Sequence, residues 1–212
     1  MPTEHRDSNA MPSSDGRPSD DSILLVSAAL TGAKSALDEF TSGDAAHRIS
    51  KVIDLVVASI RAGGKVLICG NGGSLCDATH FAEELTGRFR ADRPALPAIA
   101  ISDAGHITCT ANDYGFDRVF SRGVEALGKA GDVLIVLSTS GNSKNVVLAV
   151  EAARAKGLSV VALLGKTGGA LKGMADVELI APGATADRIQ ELHMIVLHTI
   201  VEGVEAAMFG RS

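Results

Sequence analysis

The sequence lacks both an excess of positive charge and enough cysteine for a disulfide framework. Its 212 residues carry a formal net charge of −5, which argues against a nucleic-acid-binding surface. The three cysteines, Cys69, Cys76 and Cys109, are an odd number without a Cys-x-x-Cys pair. They indicate reduced thiols in a cytoplasmic protein.

Long hydrophobic segments are also missing. No apolar run approaches the length of a membrane span, and no hydrophobic segment follows the N-terminus as a signal peptide requires. The sequence therefore predicts a soluble cytoplasmic protein that binds neither membrane nor nucleic acid. An apolar content of 46% allows one domain with a sizeable core.

The chain divides into an N-terminal extension and one domain. Residues 1–21 show no apolar periodicity and are rich in Ser, Asp and Pro, so we expect them to be disordered. In residues 22–212, aliphatic strand-like runs alternate with helical segments, which predicts an α/β fold with a parallel sheet covered on both faces. The predicted strands are residues 65–69, 98–102, 132–138, 159–165 and 177–181. The predicted helices are residues 22–40, 46–62, 74–88, 107–111, 116–127, 143–156, 169–174 and 186–208.

The first two predicted helices and the last one are more apolar than exposed surface helices need to be. In the last helix, apolar side chains occupy more than one face. This pattern indicates helix–helix association between subunits, and hence a homo-oligomer.

A glycine-rich loop, residues 70–74 (GNGGS), follows the first predicted strand. It matches neither the Rossmann GxGxxG nor the Walker GxxxxGK[ST] motif, so neither a dinucleotide nor a nucleoside triphosphate is indicated. Its glycines allow a sharp turn and a close approach to a ligand. We expect Ser74 to be the N-cap of the next helix, whose free N–H groups and positive dipole end would face an anion. Taken alone, the loop could equally be an ordinary strand–turn–helix connection.

His80 and Glu84 lie four residues apart in the helix that follows this loop, so their side chains share a face. An imidazole–carboxylate pair beside an anion site suggests an enzyme that acts on a phosphorylated small molecule.

A second polar loop, residues 138–143 (STSGNS), ends the third predicted strand and opens another helix. Ligands of open α/β sheets bind at the carboxyl ends of the strands. A Ser/Thr-rich loop is common without a ligand, but two such loops on successive central strands favour a phosphate site.

Polar residues interrupt the otherwise apolar last helix, where they are costly unless paired or ligated. For His193 we predict a hydrogen-bonded core histidine. Considered alone, His198 would also be interpreted as a hydrogen-bonded core histidine rather than as a functional residue.

Four segments, in order along the chain, resemble the sugar isomerase (SIS) domain proteins and, among them, the bacterial phosphoheptose isomerases. The resemblance covers about residues 22–209. The segments are GNGGSLCDATHFAEELTGRF, AISDAGHITCTANDYGFDRVFSRGVEALG, LSTSGNSKNV and ADRIQELHMIVLHTIVEGVE. The resemblance implies a three-layer fold with a central five-stranded parallel sheet, N-terminal helices and a long C-terminal helix. It also implies conversion of sedoheptulose 7-phosphate to D-glycero-D-manno-heptose 7-phosphate through an enediol(ate), the first step of nucleotide-activated heptose synthesis.

The resemblance also assigns roles to particular residues. Glu84 and His198 correspond to the catalytic pair. One Zn²⁺ per subunit would be held by His80, Glu84, Gln190 and His198. The substrate-binding residues would be Asn71, Gly72, Gly73, Ser74, Glu84, Asn112, Asp113, Ser138, Thr139, Ser140, Ser143 and Gln190.

The implied chemistry fits these residue types. Moving a carbonyl between C1 and C2 requires a base for a carbon-bound proton, and Glu84 can serve; His198 can move the hydroxyl proton. Zinc accepts imidazole nitrogen and carboxylate oxygen, whereas the Gln190 amide would be an unusual ligand.

The family is homotetrameric, with active sites at subunit contacts. Gln190 and His198 are eight residues apart, about 12 Å along a helix, which is at the limit for sharing one ion. We therefore expect a homotetramer whose catalytic site is completed across an interface.

Two alternatives stay open. Some SIS proteins only bind or regulate, but the group that binds the replication initiator lacks the carboxylate and histidine that match Glu84 and His198. Isomerases of other sugar phosphates, such as arabinose 5-phosphate, usually carry additional domains, which this short chain lacks.

Overall fold

Five strands and seven α-helices make up residues 18–210, the part of the chain that the computed structural model describes. Two helices come first, and strands and helices then alternate. In chain order the elements are α1 (Asp20–Thr41), α2 (Ala45–Arg61), β1 (Val66–Gly70), α3 (Gly73–Thr86), β2 (Ala98–Ala100), α4 (Ala104–Tyr114), α5 (Val119–Leu127), β3 (Val133–Ser138), α6 (Lys144–Ala155), β4 (Ser159–Gly165), β5 (Val177–Ala181) and α7 (Ala186–Phe209).

The strands form one parallel sheet in the order β2–β1–β3–β4–β5. Every residue of β1 and β3 is buried, because helices cover both faces of the sheet. This double coverage explains the near-continuous aliphatic runs. The predicted α/β class with a five-stranded parallel sheet is confirmed.

Alternate strand residues face two separate cores, as the two-residue repeat of a strand requires. On one face, Ile68 and Ile135 pack with apolar residues of α2, α3 and α7. On the other face, Leu67 and Leu134 pack with α5 and α6. The buried thiol of Cys69 lies in this second core. The helices that supply the candidate catalytic residues, α3 and α7, therefore share one face of the sheet.

Helix α7 corrects one expectation from the sequence. This helix has 24 residues, and judged by length and composition alone it is apolar enough to cross a membrane. It is the one such helix in the described region. The prediction that no run approaches such a span is therefore wrong. In the fold, Leu197, Val201 and Val204 of this helix are buried in the core shared with α2 and α3. The core helix of a globular domain passes the same test of composition.

Several element boundaries differ from those predicted. Helix α1 starts two residues early, because the Ser19 side chain accepts the backbone N–H of Ser22 at 3.2 Å. Helix α4 starts three residues early, because Asp103 caps it in the same way. The predicted helix at 169–174 is only a 3-10 turn, Gly169–Leu171. Disorder was predicted for residues 1–21. The prediction is wrong for Asp20 and Asp21, which are helical, and residues 1–17 lie outside the described part of the chain.

Candidate active site

The loop between β1 and α3 makes its turn at Gly72, which has a φ of 56° and is the N-cap of α3. Few residues other than glycine adopt this backbone conformation. The prediction that Ser74 is the N-cap is wrong, because this turn lets the helix start at Gly73. Ser74 is instead a buried residue of the first helical turn. The N-terminus of α3 still lies at the carboxyl end of β1.

Gln190 of α7 lies directly against this loop. Its Nε2 atom is 3.5 Å from the Ser74 Oγ. A Cβ atom on Gly73 would come within 2.7 Å of the Gln190 side-chain amide. A residue larger than glycine at position 73 would therefore displace the Gln190 side-chain amide from the loop.

The loop between β3 and α6 is organised around the Ser138 hydroxyl. Its Oγ accepts the backbone N–H of Gly141 at 3.1 Å and lies 3.3 Å from the Ser143 Oγ. Ser143 is the N-cap of α6 but makes no side-chain capping bond, so its hydroxyl is turned towards Ser138. Ser140, at the tip of the loop, accepts the backbone N–H of Asn142 at 3.2 Å.

A reciprocal pair of amides joins the two loops. Asn71 donates to the side-chain oxygen of Asn145 at 2.9 Å, and Asn145 donates back at 2.8 Å. Asn145 is buried in the first turn of α6. We call the joined loops, residues 71–74 and 138–143, the phosphate cradle. Asn145 is not among the residues predicted from the sequence, because its partner Asn71 lies 74 residues away in the other loop.

His80, Glu84 and His198 meet where α3 packs against α7, and we call them the acid–base cluster. One ligand atom from each lies within 4.8 Å of the other two. The Nε2 atoms of the two histidines are 3.0 Å apart, and the Nε2 of His80 is 3.4 Å from the Glu84 Oε1. All three come from one chain, so no neighbouring chain is needed to bring His198 to Glu84.

The donor atoms of the acid–base cluster suit a metal ion. Two imidazole nitrogens and a carboxylate oxygen are a ligand set typical of Zn²⁺. The Nδ1 of His80 lies 3.0 Å from the Glu83 Oε1, and this contact leaves Nε2 facing the cluster. Metal-bound histidines are commonly oriented by a carboxylate on their other ring nitrogen in this way. Gln190, the fourth predicted ligand, contacts Gly73 and Ser74 instead, and its role as a ligand stays a prediction.

Asp77 lies one turn before His80 on α3 and was not singled out from the sequence. Burial raises the pKa of its carboxyl group, and the nearby His80 partly offsets this. Among residues 18–210 its Oδ2 atom has no hydrogen-bond partner.

Asn112 and Asp113 lie on the exposed surface of α4. Asn112 donates to the Asp113 carboxylate at 2.8 Å, and the Cys109 thiol lies 3.6 Å from the same group. This carboxylate raises the pKa of the Cys109 thiol. The predicted substrate contacts of the two residues stay a prediction.

His193 is a core histidine, as predicted. It is buried, and its Nε2 atom donates to the backbone carbonyl of Leu164 at 3.0 Å. Burial lowers the pKa of this imidazole to about 4, so the side chain is neutral in the folded protein at physiological pH.

Comparison with known proteins first defines the class of protein. The SIS domain family model matches residues 31–165, which include strands β1 to β4 and both loops of the phosphate cradle. The chain is thus an SIS-domain protein. Gln190 and His198 lie beyond the matched region, so the domain alone does not identify the chemistry.

Full-length relatives narrow the class. The phosphoheptose isomerase of Fusobacterium nucleatum is 64% identical over 75% of this chain and 82% of its own length. The phosphoheptose isomerase of Proteus mirabilis is 54% identical over 87% of this chain and 97% of its own length. The chain therefore belongs to the phosphoheptose isomerase family.

Solved structures agree with this assignment. The phosphoheptose isomerase GmhA of Neisseria gonorrhoeae superposes with a TM-score of 0.79 at 39% identity, over 86% of this chain and 98% of its own. The phosphoheptose isomerase of Francisella tularensis gives a TM-score of 0.83 at 37% identity, over 86% and 97% of the two chains. A purely binding SIS protein is not favoured.

Proposed function

We propose that the protein is an aldose–ketose isomerase that converts sedoheptulose 7-phosphate to D-glycero-D-manno-heptose 7-phosphate, the first step of nucleotide-activated heptose synthesis. The observation that carries this proposal is the acid–base cluster, which one chain assembles between α7 and α3, the helix that also begins in the phosphate cradle. His80 lies six residues after Ser74, about 9 Å along α3. This separation leaves room for a sugar chain between its phosphate and its reacting carbons.

The phosphate cradle would hold the 7-phosphate with neutral groups. The N-termini of α3 and α6 both lie at this edge of the sheet, and each favours an anion through its dipole and free N–H groups. The hydroxyls of Ser138, Ser140 and Ser143 would add hydrogen bonds. This arrangement recognises the phosphate without an arginine clamp.

Glu84 would act as the base. Its carboxylate takes the proton from C1 of the ketose, which leaves an enediolate, and returns that proton to C2. His198 carries the hydroxyl proton between O1 and O2, so the carbonyl ends on C1. A positioned base and acid of this kind each contribute roughly 10²–10⁴-fold to a rate.

His80, Glu84 and His198 would hold a divalent metal ion, with zinc best suited to their donor atoms. When bound, the ion would supply Lewis-acid stabilisation of the negative charge that develops on the sugar oxygens. Glu83 would keep His80 in the orientation that this role needs.

A homotetramer remains part of the proposal. In the described part of the chain, no residue of α1 is buried, and five of its large apolar side chains are exposed. Such a surface on a helix supports association with other subunits. These side chains are Ile23, Leu24, Leu25, Val26 and Leu30. We also propose a cytoplasmic location, in keeping with the free thiols of Cys69, Cys76 and Cys109.

One assay tests this function. Purified protein is incubated with sedoheptulose 7-phosphate, with pentose and hexose phosphates, and with dephosphorylated sedoheptulose, and formation of the aldose is followed. We expect the heptose phosphate to give the highest kcat/KM. Equal turnover of the dephosphorylated sugar would contradict the phosphate cradle, and a preferred pentose phosphate would move the protein to another sugar phosphate isomerase class.

A further inference from the structure

Arg93 lies in the segment between α3 and β2, and its side chain is only 4% exposed. The guanidinium donates hydrogen bonds to several backbone carbonyls and forms an ion pair with α7. The acceptors are Glu84 O at 2.6 Å, Leu85 O at 2.7 Å, Gly87 O at 3.1 Å, Pro94 O at 3.2 Å and Glu205 Oε1 at 2.7 Å. A buried arginine with this many acceptors is fixed in one position.

The backbone acceptors lie mainly at the C-terminal end of α3. The last four carbonyls of a helix have no partner within the helix, and the negative end of the helix dipole favours a cation there. Arg93 meets both needs. One of the carbonyls that it satisfies belongs to Glu84, so the guanidinium is bonded to the peptide group of the proposed base.

The carboxylate acceptor lies on α7. Glu205 is 13% exposed and follows His198 by seven residues, which places both on one face of the helix. Arg93 therefore connects the backbone of Glu84 with the helix face that carries His198.

The segment that Arg93 holds also contacts His198 directly. The ring of Phe89, two residues after the Gly87 carbonyl, lies with its centroid 5.8 Å from that of His198 and tilted by 32°. Two neighbours of His198, Glu84 and Phe89, thus lie on backbone that Arg93 holds, whereas the third, His80, lies one turn earlier on α3.

We propose that Arg93 is a positioning residue that sets the spacing between Glu84 and His198 for proton transfer. It rests on the proposed isomerase function, since the spacing matters only for that reaction. Arg93 acts through the two helices and touches no substrate. Its loss should therefore lower kcat while the phosphate cradle continues to bind.

The chain offers a matched control. Arg90 forms an ion pair with Glu202 at 2.7 Å, between the same segment and the same helix. Both side chains are more than half exposed, at 57% and 53%, and exposed pairs contribute little to stability. The two pairs differ in burial and in the backbone carbonyls that Arg93 satisfies. Arg90 also lies over the Phe89 ring, 5.1 Å from its centroid, so the control replaces Glu202 and leaves Arg90 in place.

The experiment compares Arg93→Lys and Glu205→Met with Glu202→Met, which makes the same substitution on the same helix at the exposed pair. Lysine keeps the charge but cannot reproduce the fork of donors, and methionine removes the acceptor on α7 at similar size. We expect kcat to fall about 10- to 100-fold in the two test variants, because a displacement of about 1 Å can cost that much. The inhibition constant of inorganic phosphate should stay within about twofold of wild type, and Glu202→Met should resemble wild type in both values.

Folding is controlled separately, because removal of one partner from a buried ion pair destabilises a protein. Thermal unfolding of each variant is measured, and kcat is compared well below every Tm. A wild-type kcat in either folded test variant would overturn the proposal, as would a weakening of phosphate binding equal to the loss in kcat. If wild type and Glu202→Met both failed to isomerise the heptose phosphate, the proposed function itself would fail.

Discussion

The phosphate cradle and the acid–base cluster share helix α3 but are built in different ways. The cradle consists of hydroxyls, amides and helix N-termini, and each of its loops lies directly between a strand and the next helix. The cluster consists of ionisable side chains on two helices, and its histidines are 118 residues apart in sequence. In the proposed function, binding of the phosphate thus depends on local loop geometry, whereas the chemistry depends on how α7 packs against α3. Substitutions in the two regions should separate KM from kcat.

The largest expected effect tests the cluster. Glu84→Gln keeps the side-chain shape but removes the base, so kcat should fall by about 10²–10⁴-fold. The inhibition constant of inorganic phosphate should not change, because the cradle is intact. Glu191→Gln, on the exposed side of α7, serves as the control and should keep wild-type kinetics. A folded Glu84→Gln variant with wild-type kcat would show that this carboxylate is not the base.

A mixing experiment sharpens the same point. Because one chain supplies both Glu84 and His198 to the cluster, mixed Glu84→Gln and His198→Gln subunits should regain no activity beyond the sum of the two. Recovery in such mixtures, measured after joint refolding, would mean that the working cluster takes these residues from different chains.

A smaller effect is expected in the cradle. Ser140→Ala removes one hydroxyl donor to the phosphate, and a hydrogen bond to a charged group contributes about 1.5–3 kcal/mol. We expect KM for the sugar phosphate to rise about tenfold or more, while kcat changes little. Steady-state kinetics measure both constants. A loss confined to kcat would contradict the division between the two regions.

Asn145→Ala should have a weaker effect on binding and a visible effect on stability. It breaks the reciprocal amide pair and leaves Asn71 without its partner, which costs about 1–3 kcal/mol. Tm should fall by about 2–4 °C for each kcal/mol in a chain of this size, and KM should rise a few-fold. Asn142→Ala, at an exposed position of the loop, is the comparison. A larger loss of stability there would show that the amide pair is not what joins the loops.

The smallest effect on catalysis is expected at His193, which shares α7 with His198 but lies in the core. Burial lowers the pKa of His193 from its ordinary value of 6.5, which applies to the unfolded chain, to about 4 in the folded protein. The unfolded chain therefore binds more protons between these two pH values. The stabilising contribution is complete above pH 6.5 and is lost as pH falls towards 4, by at most about 1.4 kcal/mol per pH unit. Denaturant unfolding at several pH values should show a flatter profile in His193→Gln. An unchanged slope would contradict this assignment.

The sheet was the most predictable part of the molecule. Strand β4 has the predicted bounds, because its aliphatic run is buried on both faces. The edge strand β5, in which buried and half-buried residues alternate, also has the predicted bounds. Ser74 shows why helix starts are harder to predict. The preference of serine for the N-cap is real, but the positive φ of Gly72 decides where the turn lies, and that angle depends on the packing of the loop.

The candidate site was predictable only where its residues are neighbours in sequence or match the family resemblance. The spacing of His80 and Glu84 places them on one helix face. No local pattern shows that Asn145 pairs with Asn71, or that Arg93 reaches both Glu84 and Glu205. These contacts depend on how the helices pack over the sheet, and that packing is fixed by core residues distant in sequence.

The position of α7 at the end of the fold has a consequence for the time course of biosynthesis. A chain is made from its N-terminus, and its earlier parts can begin to fold during synthesis. All five strands and both cradle loops are translated before α7. A nascent chain can therefore form the two cradle loops first, while one face of its sheet is not yet fully covered. His198 and Glu205, the partner of Arg93, arrive last, so docking of α7 closes the core and completes the acid–base cluster in a single event.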